Sequence, residues 1–166
     1  MRGLPICAAA LALAAPALAD NHTTPEQDAV AEAATNFMAA ISSDDRTLLA
    51  ELMVSEGMIF VHNRMDSANP RLAIVPVADH VESWKTRTAD YEEVMNYSHI
   101  LVDGDMAQVW GPYSFTADGT LTHCGINSLS MVKRDGAWKV GNTSFTMVKP
   151  SECMAVGADW VEGDDS

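Results

Sequence analysis

The sequence predicts an α+β domain in which helices come first and an antiparallel meander follows. Apolar residues recur at helical spacing in the first half of the chain. From Glu92 to Val148, apolar and polar residues alternate between three glycine turns: Asp103-Gly104-Asp105, Asp118-Gly119 and Asp135-Gly136. Asp-Gly between alternating segments favours a tight hairpin because both central residues must accept positive φ. Four successive strands are therefore expected in this segment.

Residues 1–19 are predicted to be a signal peptide rather than part of the domain. Arg2 gives a short positive region, Leu4–Ala15 an apolar core, and Ala17-Leu18-Ala19 a small-x-small cleavage site. The apolar run is too short to span a bilayer as a helix. We therefore expect cleavage after Ala19 and a soluble mature protein that is periplasmic or secreted.

Cleavage after Ala19 would leave 147 of the 166 residues, the size of one domain with a single core. We expect that domain over residues 20–150, followed by an acidic tail at residues 151–166. The formal net charge of −13 becomes −14 without Arg2. A charge of this sign repels phosphate backbones and anionic lipids, so neither nucleic acid nor a membrane is an expected partner.

Two helices are predicted at the start of the domain. Thr24 is an N-cap, Pro25 occupies the first helical position, and Gln27 completes a capping box. Apolar residues at helical spacing then extend this helix to about Ser42. A second, shorter helix is expected over about Arg46–Met53, with its leucines facing the same core.

Two short strands and a third helix complete the part before the meander. The strands are Met58–Val61, with His62 at its end, and Leu72–Val77, broken by Pro76 and placed on an edge. The polar loop Asn63–Arg71 joins them. In Val77–Thr88, Val77, His80, Val81 and Trp84 fall at i, i+3, i+4 and i+7. This spacing predicts a helix with His80 and Trp84 on its buried side.

Strand periodicity assigns the faces of the meander. His123, Asn127, Leu129 and Met131 share one parity, and the two large apolar residues predict that this is the core side. On the last strand, inward positions are expected at Trp138 and Val140 and, after a register shift at Gly141-Asn142, at Phe145 and Met147. Tyr97 shares a face with His99 on the first strand, and Trp110 shares one with Gln108 on the second. No acidic residue of these strands has clear inward parity.

Cys124 and Cys153 are the cysteines that remain after cleavage. Two cysteines in an exported protein most often form one disulfide. Counting back through the Asp135-Gly136 turn places Cys124 opposite Met147 or Val148, so a short return of the tail beyond Pro150 would bring Cys153 to it. Two unpaired buried thiols are the alternative.

The element order, together with an ending of hydrophobic strand, Asp-Gly turn and Trp-Lys-Val, resembles a known family. The chain is similar to the nuclear-transport-factor-two-like (NTF2-like) superfamily, which includes SnoaL-like polyketide cyclases, ketosteroid isomerases, scytalone dehydratase and limonene epoxide hydrolase. The resemblance covers Glu26–Lys149 and is strongest for exported, single-domain bacterial members. It implies a curved antiparallel sheet wrapped around three N-terminal helices, a cone with an internal pocket, and often a homodimer packed through the sheet.

In such a cone we expect a ligand site between the third helix and the concave face of the sheet, with loop Asn63–Arg71 at its mouth. The main interpretation is an exported protein that binds a small, largely apolar molecule without turnover. The residues expected to contact this ligand are Trp84, Tyr97, Trp110, Asn127, His62 and Arg64. For each there is a plainer interpretation: the aromatic residues fill the core, and the arginine is solvated.

The alternative function is a cofactor-free isomerase, dehydratase or cyclase. His123 or His80 would then be the catalytic general acid or base, although an inward histidine is more often a hydrogen-bonded core residue. An inward carboxylate or carbonyl within hydrogen-bond reach of either ring would favour the enzyme. Neither a cofactor nor a metal is expected, because the sequence has no His-x-His, His-Glu-x-x-His or Cys-x-x-Cys spacing.

Overall fold

Helices and strands follow the predicted α+β order over residues 23–158, the part of the chain that the computed structural model describes. The helices are α1 (Pro25–Ser42), α2 (Leu48–Leu52) and α3 (Val77–Trp84), and Pro150–Val156 forms a 3₁₀ helix. The strands are β1 (Met58–Asn63), β2 (Arg71–Pro76), β3 (Tyr91–Met95), β4 (His99–Asp103), β5 (Met106–Ala117), β6 (Thr120–Arg134) and β7 (Ala137–Met147). The predicted signal peptide and residues 159–166 of the predicted tail lie outside the described residues.

The start of α1 is fixed by its cap. The Gln27 backbone N–H donates to the Thr24 hydroxyl at 3.2 Å, and the Thr24 N–H donates to the Gln27 side-chain oxygen at 2.8 Å. The predicted capping box is therefore confirmed, and such a cap contributes about 1 kcal/mol. The helix ends at Ser42, as predicted.

The other two helices are shorter than predicted, and local side-chain hydrogen bonds explain both differences. Before α2, the Asp45 carboxylate accepts from the Thr47 N–H at 3.0 Å and holds this segment in a turn, so the helix begins at Leu48. After α3, the Thr86 hydroxyl donates to the Ser83 carbonyl at 2.9 Å where the helix stops at Trp84.

One curved, open sheet holds all seven strands, in the order β2-β1-β7-β6-β5-β3 with β4 also beside β5. The pairs are antiparallel except that β1 runs parallel to β7. This parallel pair joins the first strand of the chain to the last strand of the meander. The sheet therefore contains two strands, β1 and β2, in addition to those of the meander.

The prediction that the meander begins with one continuous strand is wrong. It is divided into β3 and β4, which pair with different halves of β5. At the break, the Asn96 N–H donates to the Pro112 carbonyl at 2.9 Å. A Cβ on Gly111 would lie 1.7 Å from the Asn96 carbonyl oxygen, so only glycine permits this approach. Tyr97 consequently lies between strands, and the alternation that paired it with His99 does not apply.

The core lies between α1 and the concave face of the sheet. Val109 and Leu129 have no exposed surface, and Met131 and Val140 are almost as deeply buried. Val30 of α1 is equally inaccessible. Fully burying each aliphatic side chain of this size contributes about 1.5 to 3 kcal/mol. The predicted inward parity of β6 is therefore confirmed, as is the inward direction of Trp138 and Val140 on β7.

The outer face of the sheet carries exposed apolar side chains where β4, β5 and β6 are adjacent: Leu101, Met106, Trp110 and Val132. Trp110 is 46% exposed, because its neighbour Val109 occupies the inward parity of β5. The expectation that Trp110 lines an internal pocket is therefore wrong. The homodimer packed through the sheet stays a prediction.

The end of the described chain is joined to the sheet by the predicted disulfide. Cys124 and Cys153 are bonded, with Cα atoms 5.6 Å apart and a sequence separation of 29. Cys124 pairs with Val148 across an antiparallel bridge, as the turn count predicts. Disulfides are typical of oxidising compartments, which agrees with an exported protein. Within residues 23–158, the helices are too short or too polar to cross a membrane.

Candidate functional site

A cavity of about 580 Å³ lies between the helices and the concave face of the sheet. Its apolar wall includes Phe37, Ile41, Leu49, Met53, Val61 and Phe145. Its polar lining consists of Asp79, His80, Ser83, Arg87, Glu93, Tyr113, His123, Asn127 and Thr143. The register shift between Ser130 and Met131, opposite Gly141, allows Phe145 and Met147 to line the cavity as the sequence predicts.

Four of the residues that the sequence singles out are brought together in this lining: His80, Trp84, His123 and Asn127. Each occupies the inward position that helix or strand periodicity predicts. Trp84 and Asn127 are 3% and 4% exposed, whereas the two histidines remain partly accessible from the cavity. The sequence therefore locates the part of the site that α3 and β6 contribute.

The other four candidates lie outside the lining. Trp110 is on the outer face of the sheet, and the Tyr97 hydroxyl lies 3.1 Å from the Thr35 hydroxyl, beside α1. His62 has the opposite parity to the cavity residue Val61, and its Nε2 lies 3.2 Å from the Ser144 hydroxyl. Arg64 follows β1, and its backbone N–H donates to the Met147 carbonyl at 2.8 Å.

Glu93 is the residue of the site that sequence reasoning missed. It lies on β3 and lines the cavity, where the Asn127 amide donates to its Oε1 at 2.9 Å. Burial raises the pKa of the Glu93 carboxyl to about 7, although the Asn127 hydrogen bond opposes that shift. The carboxyl is therefore close to half-ionised at neutral pH. Groups that exchange a proton near pH 7 are suited to general acid–base work.

A sequence signal for Glu93 exists. Tyr91 and Met95 are the large apolar residues of β3, and Glu93 lies between them at the same parity. Val94, the apolar residue that obscures this alternation, is 54% exposed on the outer face. The expectation that no acidic residue of these strands faces inward is therefore wrong.

Asn127 has one polar atom without a partner. Its Oδ1 is buried and, among the described residues, nothing donates a hydrogen bond to it. A buried acceptor left unpaired costs about 1 to 3 kcal/mol. A hydroxyl or N–H donor in the cavity could satisfy it, so the Glu93–Asn127 pair can offer a ligand both an acceptor and an exchangeable proton.

Tyr113 stands beside this pair on β5. Its hydroxyl donates to the Thr146 carbonyl at 2.9 Å. Burial, followed by the nearby Glu93 carboxylate, raises the pKa of the Tyr113 phenol, so the phenol keeps its proton. Tyr113 on β5 pairs with Gly125 on β6. A Cβ at Gly125 would lie 1.9 Å from the same Thr146 oxygen. Glycine at this position therefore permits the close approach of β7 that supplies the acceptor.

His123 is held by aromatic rings and one hydroxyl rather than by a carboxylate. Its ring stacks on Phe115, with centroids 5.0 Å apart, and its Nδ1 lies 2.8 Å from the Thr122 hydroxyl. Burial lowers the pKa of His123 to about 4. Burial and then the Arg87 charge also lower the pKa of His80. Both rings are therefore neutral at pH 7, and neither has a carboxylate hydrogen-bond partner among the described residues.

A cationic and aromatic cluster lies near α3, and two of its members, Trp84 and Arg87, line the cavity. The Arg87 guanidinium carbon lies 4.9 Å from the centroid of the Trp84 ring. Tyr91 packs against Trp84, with ring centroids 5.2 Å apart. Within residues 23–158, no three His, Cys, Asp or Glu side chains converge as metal ligands would.

Comparison with known proteins identifies the fold. No family model and no curated sequence matches this chain. An NTF2-like protein from Cytophaga hutchinsonii superposes with a TM-score of 0.62 at 16% identity, covering 75% of this chain and 99% of that chain. An NTF2-like protein of unknown function from Shewanella baltica gives 0.55 at 17% identity, covering 76% and 98%.

A further match is the beta subunit of a putative aromatic-ring-hydroxylating dioxygenase from Novosphingobium aromaticivorans. It superposes with a TM-score of 0.61 at 15% identity, covering 75% of this chain and 90% of that chain. Identities this low establish shared architecture and leave chemistry to the residues of each cavity. This chain has the nuclear-transport-factor-two-like fold.

Proposed function

We propose that this protein binds a small, largely apolar molecule in the cavity between α1, α3 and the concave face of the sheet. The observation that carries the proposal is the cavity itself: about 580 Å³, mostly apolar, with a few convergent polar groups. Ligand sites are typically about 300 to 1,000 Å³ and have this mixture of lining residues. A domain of this size would otherwise fill such a space with side chains.

The Glu93–Asn127 pair would orient the ligand. A carboxyl whose pKa is about 7 can donate or accept a hydrogen bond at neutral pH. The unpaired Oδ1 of Asn127 accepts from a ligand donor. A hydroxyl, enol or carbonyl group on the ligand therefore finds a complementary partner here, and the apolar remainder packs against residues such as Phe37 and Phe145.

The protein would carry out this binding after export, in the periplasm or outside the cell. The Cys124–Cys153 disulfide supports this location because such bonds persist in oxidising compartments. The formal net charge of −13, which becomes −14 without Arg2, would keep an exported domain soluble.

Binding is tested with the neutral fluorescent probe N-phenyl-1-naphthylamine. Fluorescence titration should give saturable binding to the wild-type protein, and Val61→Phe should weaken it at least tenfold, because the added ring atoms enter the cavity that Val61 lines. The matched control is Val94→Phe, the same change on the outer face of the sheet. Equal affinity for wild type and Val61→Phe would show that the probe binds elsewhere, and the proposed site would be rejected.

A second candidate function is proton transfer without a cofactor, as in an isomerase or dehydratase. The observation that favours it is Glu93, an inward carboxyl with a pKa of about 7 and a positioning hydrogen bond from Asn127. In this mechanism the Glu93 carboxylate removes a proton from carbon next to a carbonyl, and the resulting acid returns it to another atom. The neutral histidines bind and orient rather than act as bases.

Proton transfer is tested with 2-tetralone, whose α-carbon protons exchange measurably in deuterated buffer. The wild-type protein should accelerate this exchange, with a rate that rises with pH and levels off above about pH 7 as Glu93 ionises. Glu93→Gln should reduce the accelerated rate by about 100-fold or more, since positioned bases contribute about 10² to 10⁴. The exposed neighbour change Glu92→Gln is the control. If Glu93→Gln retains the wild-type rate, Glu93 is not the base and this mechanism is rejected; if the wild-type protein does not accelerate the exchange, the proton-transfer function is rejected.

A further inference from the structure

We infer that the ligand of this cavity is an organic acid, whose oxyanion lies against Arg87 and the indole N–H of Trp84 while its apolar body occupies the cavity. This inference rests on the proposed binding function and adds the chemical class of the ligand. It also replaces Arg64, which the sequence singled out as a ligand contact, with an arginine that lines the cavity.

Arg87 has a charge that no carboxylate of the described residues neutralises. The ion pairs within 4.0 Å in residues 23–158 are Lys85 with Glu82 and Arg134 with Glu56. A second arginine near the same rings is Arg46, whose guanidinium carbon lies 5.8 Å from the centroid of the Trp84 ring. It is held by hydrogen bonds to the Ile41 and Ala89 carbonyls at 3.0 and 2.7 Å. The donors of Arg87 have no such acceptors among the described residues. They are therefore available to a ligand.

Aromatic stacking fixes the position of this free guanidinium. Its central carbon lies 4.9 Å from the centroid of the Trp84 ring and 5.8 Å from that of Tyr91. Cation–π contacts of this kind hold the face of the planar group and leave its N–H edge free for a bidentate oxyanion. Arg87 is an exposed residue, and these contacts place its guanidinium beside the aromatic rings at the cavity lining.

Trp84 supplies the second, independent observation. Its side chain lines the cavity and is 3% exposed, yet the indole Nε1 has no acceptor among the described residues. Leaving a buried N–H unpaired is costly. A ligand oxygen held by Arg87 would lie beside this ring. One anionic group would then give the guanidinium a partner and bring an acceptor close to the indole.

The surrounding charges limit where an anion can bind. Asp79 also lines the cavity, and the whole chain is strongly acidic, so the general field repels anions. Glu93 lies two residues beyond Tyr91 on the same face of β3, about 7 Å further along the strand. The second negative charge of a dianion would be repelled by the Glu93 carboxylate. A monoanionic head at Arg87 and a neutral polar group near Glu93 avoid the repulsion.

The experiment compares two probes that differ by one charged group. The probes are N-phenyl-1-naphthylamine, which is neutral, and 8-anilino-1-naphthalenesulfonate, which adds a sulfonate to the same ring system. The sulfonate probe should bind the wild-type protein more tightly, and Arg87→Gln should lower the ratio of the two affinities at least tenfold. The matched control is Arg134→Gln, which removes the same charge at a surface position that pairs with Glu56. This control should leave the ratio unchanged.

Three outcomes separate the inference from the function on which it rests. A ratio that falls with Arg87→Gln alone supports the organic acid. A ratio equal in wild type and Arg87→Gln, with both probes still weakened by Val61→Phe, overturns the inference and leaves the binding cavity in place. If Val61→Phe weakens neither probe, the cavity is not their site, and both the proposed function and the organic acid are rejected.

Discussion

The contribution of Glu93 to the free energy of unfolding is expected to fall by about 2 to 3 kcal/mol between pH 5 and pH 8.5, because this carboxyl must ionise inside the folded protein. Burial raises the pKa of this carboxyl from 4.5 to about 7. Its protonated form is therefore favoured by folding. The stabilising effect is complete below pH 4.5, decreases as the pH rises, and is lost above about pH 7.

Equilibrium urea denaturation of the wild-type protein and Glu93→Gln isolates this effect. The glutamine keeps the shape and the hydrogen bond with Asn127 but cannot ionise, so the difference between the two proteins should change by about 2 to 3 kcal/mol across the pH range. Comparing the two proteins cancels other titrating groups. These include His80 and His123, whose lowered pKa values make the fold less stable toward acid. Parallel stability curves for the two proteins would contradict a buried, titrating Glu93.

Reduction of the Cys124–Cys153 disulfide should lower the free energy of unfolding by about 3 to 4 kcal/mol, from the chain entropy of a loop of this length. The 29-residue separation includes the β6–β7 hairpin and the 3₁₀ helix. The fold should survive, because the cysteines pack in a small cluster with Val148 and Ala158 that is separate from the main core. Reduction therefore weakens the tail more than the cavity.

Thermal unfolding with and without reductant measures this loss, and thiol titration of the denatured, unreduced mature protein supplies the control. The titration should find no free thiol, and the melting temperature should fall on reduction while probe binding persists. Two titratable thiols before reduction, or an unchanged melting temperature after it, would contradict the structural role of this bond.

Local signals predict the frame of this protein well. Two Asp-Gly turns adopt the positive φ that their sequence indicates. The φ angles are 50° at Asp118 and 72° at Gly119, and 54° at Asp135 and 82° at Gly136. The capping box and the helical periodicity fix α1 for the same reason: the determining contacts lie within four residues. On β6, alternation places His123 and Asn127 in the cavity because no bulge interrupts the strand between them.

Features that depend on contacts between distant segments could not be predicted in this way. The parallel pairing of β1 with β7 has no local signature. The break between β3 and β4 depends on Asn96 reaching Pro112 across the sheet, and it changes the phase on which the faces were assigned. Glu93 was missed because Val94 gives the strand a misleading alternation, and the raised pKa that makes Glu93 important arises only from burial in the assembled cavity.

Methionine methyl NMR can locate an apolar molecule bound in the internal cavity. Met53 and Met147 line the cavity, whereas Met106 and Met154 are exposed elsewhere. In protein labelled with ¹³C at the methionine methyl groups, titration with N-phenyl-1-naphthylamine should shift the Met53 and Met147 signals together and leave Met106 and Met154 unchanged. Shifts confined to Met106, on the apolar outer face of the sheet, would contradict the account.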